Sequence, residues 1–160
     1  MYYHPQLNTK TEKKMSHAKL SPSSAFRWLN CPGSIRLSAG IEDTSSPAAE
    51  EGTRAHELAE AMLGGKKGKA DSDEMLAYVQ QYVDYVREIA GDSKIYIEQR
   101  VDLTEYVPNG YGTADVITIT GDTLHVIDLK YGLSRVFPKD NPQLYLYALG
   151  AYTGLKKKDS

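Results

Sequence analysis

Apolar and polar positions along the chain fall into two regimes. In the first half they recur at helical spacing. Ala55, Leu58, Ala59 and Met62 form a stripe that predicts a helix from about Ala48 to Leu63. Met75, Leu76, Val79, Tyr82, Val83, Val86 and Ile89 mark the buried face of another, from about Asp73 to Ala90, with Gly91 as its stop. Upstream, Ser21 followed by Pro22 reads as a helix start, because proline at the first helical position gives up an N–H that has no partner there anyway. That helix carries Phe26, Trp28 and Leu29 and ends near Asn30, since Cys31 precedes Pro32. Phe26 and Trp28 are expected in the core, and Cys31 is expected to be a small buried residue. Ala39 to Pro47 reads as loop.

In the second half the pattern becomes that of strands. IYIEQRVDL, YGTADVITIT and TLHVIDLKY are rich in β-branched and aromatic residues. A last helix starts at Asn141 with Pro142 at its first position, and should end near Gly154. Three helices, three strands and a helix predict a layered α/β (α+β) domain. We place it at residues 20–155, after a flexible arm (1–19) and before a basic tail (156–160).

Gly121-Asp122 lies between two strand patterns and suits a two-residue type II′ turn. The turn sets the register: Ile119 faces Leu124, Ile117 faces Val126 and, continuing the count, Asp115 faces Asp128. Lys130 falls on the same face, two residues on. Directly opposed β carbons lie about 4.5–5.5 Å apart, and like charges so placed repel. Two solvated aspartates on a surface hairpin are one way to tolerate this. A divalent cation is the other, and the apolar residues on both faces of the hairpin favour it. His125, on the opposite face, is expected to pack and hydrogen-bond against a helix.

Composition narrows the setting. The chain has 160 residues and a mass of 17.8 kDa, enough for one domain with a real core. No apolar run approaches the roughly 18 residues that span a bilayer, so no membrane partner is expected. The lone Cys31 excludes an internal disulfide framework and any all-cysteine metal site, and makes the cytoplasm the default compartment. With a net charge of −2, a non-specific polyanion coat is excluded; nucleic-acid binding would need a local patch or a bound metal. Lys66, Lys67 and Lys69 in a glycine-rich loop, and Lys156 to Lys158 in the tail, are either a grip on phosphates or ordinary solubilising charge. Arg54 and Arg135, beside the motif residues described next, are the better candidates for substrate phosphate.

Gly112-Thr113-Ala114-Asp115, then Val126-Ile127-Asp128-Leu129-Lys130, then Gln143-Leu144-Tyr145-Leu146-Tyr147 resembles the PD-(D/E)XK nuclease superfamily, and within it the RecB-like exonuclease branch, with its CRISPR-associated and phage-encoded relatives. Glu51-Gly52-Thr53-Arg54-Ala55-His56-Glu57 is similar to that branch's glycine-then-histidine helix, and Ser21-Pro22-Ser23 through Cys31-Pro32 to its N-terminal helix. The resemblance spans residues 18 to 153. It implies a restriction-endonuclease-like mixed sheet flanked by helices and metal-dependent hydrolysis of phosphodiesters. Carried over residue by residue, Asp115 and Asp128 become ligands of Mg2+ or Mn2+, with His56 as a third ligand, the backbone carbonyl of Leu129 as a further one and Glu98 as an auxiliary acidic position. Asp115, Asp128 and Lys130 become the catalytic set, with Lys130 its lysine. Gln143 and Tyr147 line the DNA-facing side, and their spacing of four puts them on one helix face.

Two departures matter. Iron–sulfur members of the branch use four cysteines, which this chain lacks, and related domains often continue past the Gln-to-Tyr helix, so that Ser160 ends either a minimal version or a fragment. The expectation is a metal-dependent deoxyribonuclease, acting on DNA ends or single strands, with recombination or phage proteins as possible company. The alternative is a nucleic-acid-binding or assembly module that keeps the nuclease fold; hydrolysis of another phosphate ester ranks last.

Overall fold

A computed structural model describes residues 18–41, 45–133 and 135–156 of the chain. The expected arm over residues 1–19 and tail over 156–160 lie almost wholly outside them. A short 3-10 turn (Pro22–Ser24) leads into α1 (Ala25–Asn30), then α2 (Ser34–Leu37), α3 (Pro47–Leu63), α4 (Asp73–Ala90), β1 (Ile95–Asp102), β2 (Tyr111–Thr120), β3 (Thr123–Ile127) and α5 (Pro142–Lys156). The α+β architecture is therefore as expected. Among the described residues the sheet has three strands in the order β1-β2-β3, all antiparallel, with β2 in the middle.

Local chemistry accounts for the element ends. Ser46 caps α3 by accepting the Ala49 N–H, with Pro47 in the first turn, and Ser72 caps α4 by accepting the Met75 N–H. Gly91 closes α4 at φ 52, a backbone angle that glycine adopts without steric cost. Asn141 starts α5, its side-chain oxygen accepting the Gln143 N–H at 3.0 Å. That helix runs on past Gly154 to Lys156, two residues beyond the expected end.

The turn at Gly121-Asp122 sets the register that the pattern predicts: Thr120 pairs with Thr123, Ile119 with Leu124 and Ile117 with Val126. Gly121 has φ 57 and Asp122 does not share the positive sign, as a type II′ turn requires. Ile117, Leu124 and Val126 pack with Val101, Ala114 and Tyr147 against α5. On the other side Val116 and Thr118 are fully buried, and Ala55, Leu58 and Ala59 of α3 join Met75, Val79 and Val83 of α4 and Leu129 in a second cluster. The sheet thus lies between the α3–α4 pair and α5.

Several expectations are corrected. Leu76 lies on the exposed side of α4, while Ala90 closes its buried stripe. Phe26 is 74% exposed. Only Ala25 of its helix is buried, and Phe26, the next residue, is turned about 100° away from it. Trp28 is half-buried, its indole N–H donating to the Ser21 carbonyl at 3.0 Å. Cys31 is exposed. His125 is half-buried opposite Thr118.

Candidate functional site

The third strand stops short of the expected motif. Pairing ends at Val116 with Ile127, so Asp128, Leu129 and Lys130 follow β3 rather than extend it. The cause is local. The carboxylate of Asp115 (Oδ2) accepts the Leu129 N–H at 2.7 Å. A side chain so takes a donor that an extended ladder would give to backbone, and the chain peels away from β2 just where its motif begins. The direct opposition of Asp115 and Asp128 is therefore replaced by a looser arrangement. Leu129, expected to offer its carbonyl, is seen meeting the site through its N–H.

Across β2 on the other side, Glu98 occupies the register position opposite Asp115, between the Ile97–Val116 and Gln99–Ala114 pairs. Its φ is 48, in the left-handed region that costs a non-glycine residue about 1–3 kcal/mol. From α3, His56 points its Nδ1 at Asp115 Oδ2, 3.3 Å away. One nitrogen of His56 and one carboxylate oxygen each from Glu98 and Asp115 lie within 4.8 Å of one another. A nitrogen and two hard oxygens suit a divalent ion such as Mn2+, which accepts imidazole more readily than Mg2+ does. The donor set therefore fits a metal.

Asp128 stands beside this group with partners of its own. Its Oδ2 is 2.5 Å from Lys130 Nζ, and its Oδ1 accepts from Gln143 Nε2 at 2.9 Å. Gln143 also donates to the Tyr147 hydroxyl at 3.4 Å. The expected set thus divides into His56, Glu98 and Asp115 as a cluster of ligand type, and Asp128, Lys130 and Gln143 as a linked chain next to it. Tyr147 is only 4% exposed and is part of the core. It meets the site only through its hydroxyl, which accepts from Gln143, and offers almost no surface to solvent.

The electrostatics record the crowding. Asp128 holds its proton more tightly than a free aspartate, because burial and then the Asp115 charge outweigh Lys130. Glu98 is shifted the same way, by shielding from water first and then by Asp115 and Glu60. The hydrogen bond to Asp115 raises His56 against the opposing effect of burial. Burial pushes the Tyr147 phenol up to about 12. Tyr82 is raised too, by burial and then by Asp115 and Asp128, and its hydroxyl reaches the Ile127 carbonyl at 3.5 Å.

The two arginines expected at the substrate have other partners. Arg54 pairs with Asp71, and Arg135 lies over the Phe137 ring, 5.0 Å from its centroid. In α3, Arg54 is two residues before His56, which at 3.6 residues per turn puts it on a different face. Three contributors carry no functional mark in the sequence motifs. Asn141 reads there only as a helix start and Tyr82 only as core. Glu60 bears on Glu98 from α3, and its spacing of four from His56, which gives both one helix face, was the available signal.

No helix among the described residues is long and apolar enough to cross a membrane. No solved structure matches the chain. Residues 17–157 match the family described as a protein of unknown function (DUF2800), and with nearly its whole length inside that match the chain belongs to this family.

Proposed function

We propose that this protein is a divalent-metal-dependent nuclease that hydrolyses phosphodiester bonds in DNA, acting in the cytoplasm. The observation that carries the reading is the convergence of His56, Glu98 and Asp115 within ligand distance, beside a lysine held against a second aspartate. The resemblance of the same residues to the PD-(D/E)XK superfamily supports it, with Mg2+ or Mn2+ as the ion and DNA as the substrate.

His56, Glu98 and Asp115 would hold the ion, and Asp128 stands close enough for its charge to be felt by the same group. A divalent ion there would supply a Lewis acid that polarises a phosphoryl oxygen and acidifies water. The protein's own part is positional. Asp128 fixes the Lys130 ammonium, and Gln143 fixes Asp128. A lysine in that place offers a positive charge to phosphate oxygens, or, once deprotonated, takes a proton from attacking water. Leu129 orients the Asp115 carboxylate through its N–H. Tyr147, locked in the core, supports Gln143.

The test is cleavage of labelled linear DNA in Mn2+ together with calorimetric titration of Mn2+. Asp115→Ala should lose both metal binding and cleavage. Lys130→Ala should keep metal binding and lose about 10^2–10^4 in rate, the usual contribution of a positioned proton-transfer group. Equal cleavage by wild type and both variants overturns the proposal. DNA binding without cleavage in the wild type would favour a binding or assembly module on the same fold.

A further inference from the structure

The segment that joins Lys130 to α5 carries side chains that folding leaves in water. Phe137 is 62% exposed, and Leu133 and Val136 are exposed as well. The Arg135 guanidinium lies over the Phe137 ring, so a cation and an aromatic face form one unit at the surface. The segment is also tied down. Asn141 Nδ2 donates to the Phe137 carbonyl at 3.2 Å, and the same side chain accepts the Gln143 N–H. The Tyr145 hydroxyl donates to Asp140 at 3.2 Å. Phe137 is thus linked through Asn141 and Gln143 to Asp128, in a succession of hydrogen bonds that ends in the candidate site.

From this we infer that Arg135 and Phe137 form a base-stacking platform at the mouth of the site, and that the strand it takes is single. The inference rests on the phosphodiesterase reading above and names its substrate class. An exposed ring backed by a guanidinium stacks on any unpaired base, whereas the bases of a duplex already stack on one another and present no free face. Charge agrees with the choice: the stretch from Lys130 to Lys139 carries three cations, Lys130 against Asp128, Arg135 over the ring, and Lys139, and no carboxylate, while Asp140 just beyond it is engaged by Tyr145. The latch through Asn141 holds the platform in place before substrate arrives, so little ordering entropy is lost on binding.

The test is fluorescence anisotropy of a labelled dT12 strand and of a 12-base-pair duplex, with the full chain in Ca2+. Wild type should bind the strand at least about tenfold tighter than the duplex. Phe137→Ala should weaken strand binding about tenfold, as loss of a stacked base does, and leave the duplex unchanged. Phe137→Trp should restore it, and Arg135→Ala should lower the salt dependence of strand binding by about one ion's worth. Unchanged strand affinity in Phe137→Ala, equal losses on strand and duplex, or a wild-type preference for duplex each overturns the inference. Mn2+ titration of Phe137→Ala should match wild type, which shows an intact fold. A wild type that binds the strand as described but does not cleave it in Mn2+ defeats the nuclease reading and leaves the platform standing. Cleavage unaffected by Phe137→Ala does the reverse.

Discussion

Glu98 shows best what a single residue contributes. Its backbone sits in a region that glycine occupies freely and glutamate does not, and its carboxyl is brought beside that of Asp115. Both features cost stability in the metal-free protein. Strain of this kind persists where the surroundings impose it, and it clusters at functional sites. Glu98→Gly removes strain and charge together, whereas Glu98→Gln removes the charge alone. With metal chelated, we expect the glycine variant to be the more stable of the two by about 1 kcal/mol in urea denaturation. Both should bind Mn2+ more weakly than wild type. A glycine variant less stable than the glutamine one would show that the backbone there is not strained. Gln143 acts at one remove from the ligands. Gln143→Ala should cost about 10–100-fold in cleavage rate, with the fold intact by circular dichroism, and an unchanged rate would remove it from the site.

At the scale of elements, Gly112 explains part of the sequence pattern. It lies inside β2, in the stretch whose pattern predicts a strand although glycine disfavours one. A β carbon there would stand 2.7 Å from Pro22 Cγ and 2.8 Å from Tyr147 Cε1. Glycine is needed because the N-terminal turn and α5 both close on the strand at that point. Gly112→Ala should therefore destabilise the protein by about 1–3 kcal/mol, the usual cost of overpacking. It should also lower cleavage further than that loss of folded protein explains, because Tyr147 supports Gln143. Thermal denaturation and activity at a temperature where the variant is fully folded separate the two effects. A neutral substitution would mean that the three elements yield more easily than their packing implies.

For the whole molecule, the cluster ties stability to pH and to metal. Glu98, Asp128 and His56 all bind protons more tightly in the folded state than their ordinary values of 4.5, 3.8 and 6.5. The sign is the same for each, since the folded state takes up protons. His56 contributes stability that is complete below its ordinary value and lost as pH rises through its raised one. The penalty on the two carboxyls is complete above their raised values and relieved as pH falls towards the ordinary ones. In EDTA the Tm should therefore be higher near pH 6 than near pH 8, and the difference should shrink in His56→Gln. Mn2+ competes with these protons, so the stabilisation it confers should grow as pH rises. A metal-induced shift in Tm that is larger at pH 6 than at pH 8 would contradict the assignment of these groups to one site.

Periodicity and turn chemistry made much of this protein legible without coordinates. The bounds of α4, the cap and proline of α5, and the register of the β2–β3 turn are local matters, decided by spacing, N–H satisfaction and the φ that a glycine permits. The residue types at the site were visible too. Their grouping was not, because it depends on contacts between segments far apart in the chain. Whether Asp128 continues a strand is decided by which acceptor the Leu129 N–H finds, and the Asp115 side chain takes it. Glu98 joins His56 and Asp115 from a backbone angle that no local preference of glutamate would select. Arg54 and Arg135 look equally well placed beside the motifs, yet Asp71 holds one and Phe137 the other. Local propensity sets which elements form; the division of a crowded set of charges among competing partners is settled only when the layers close.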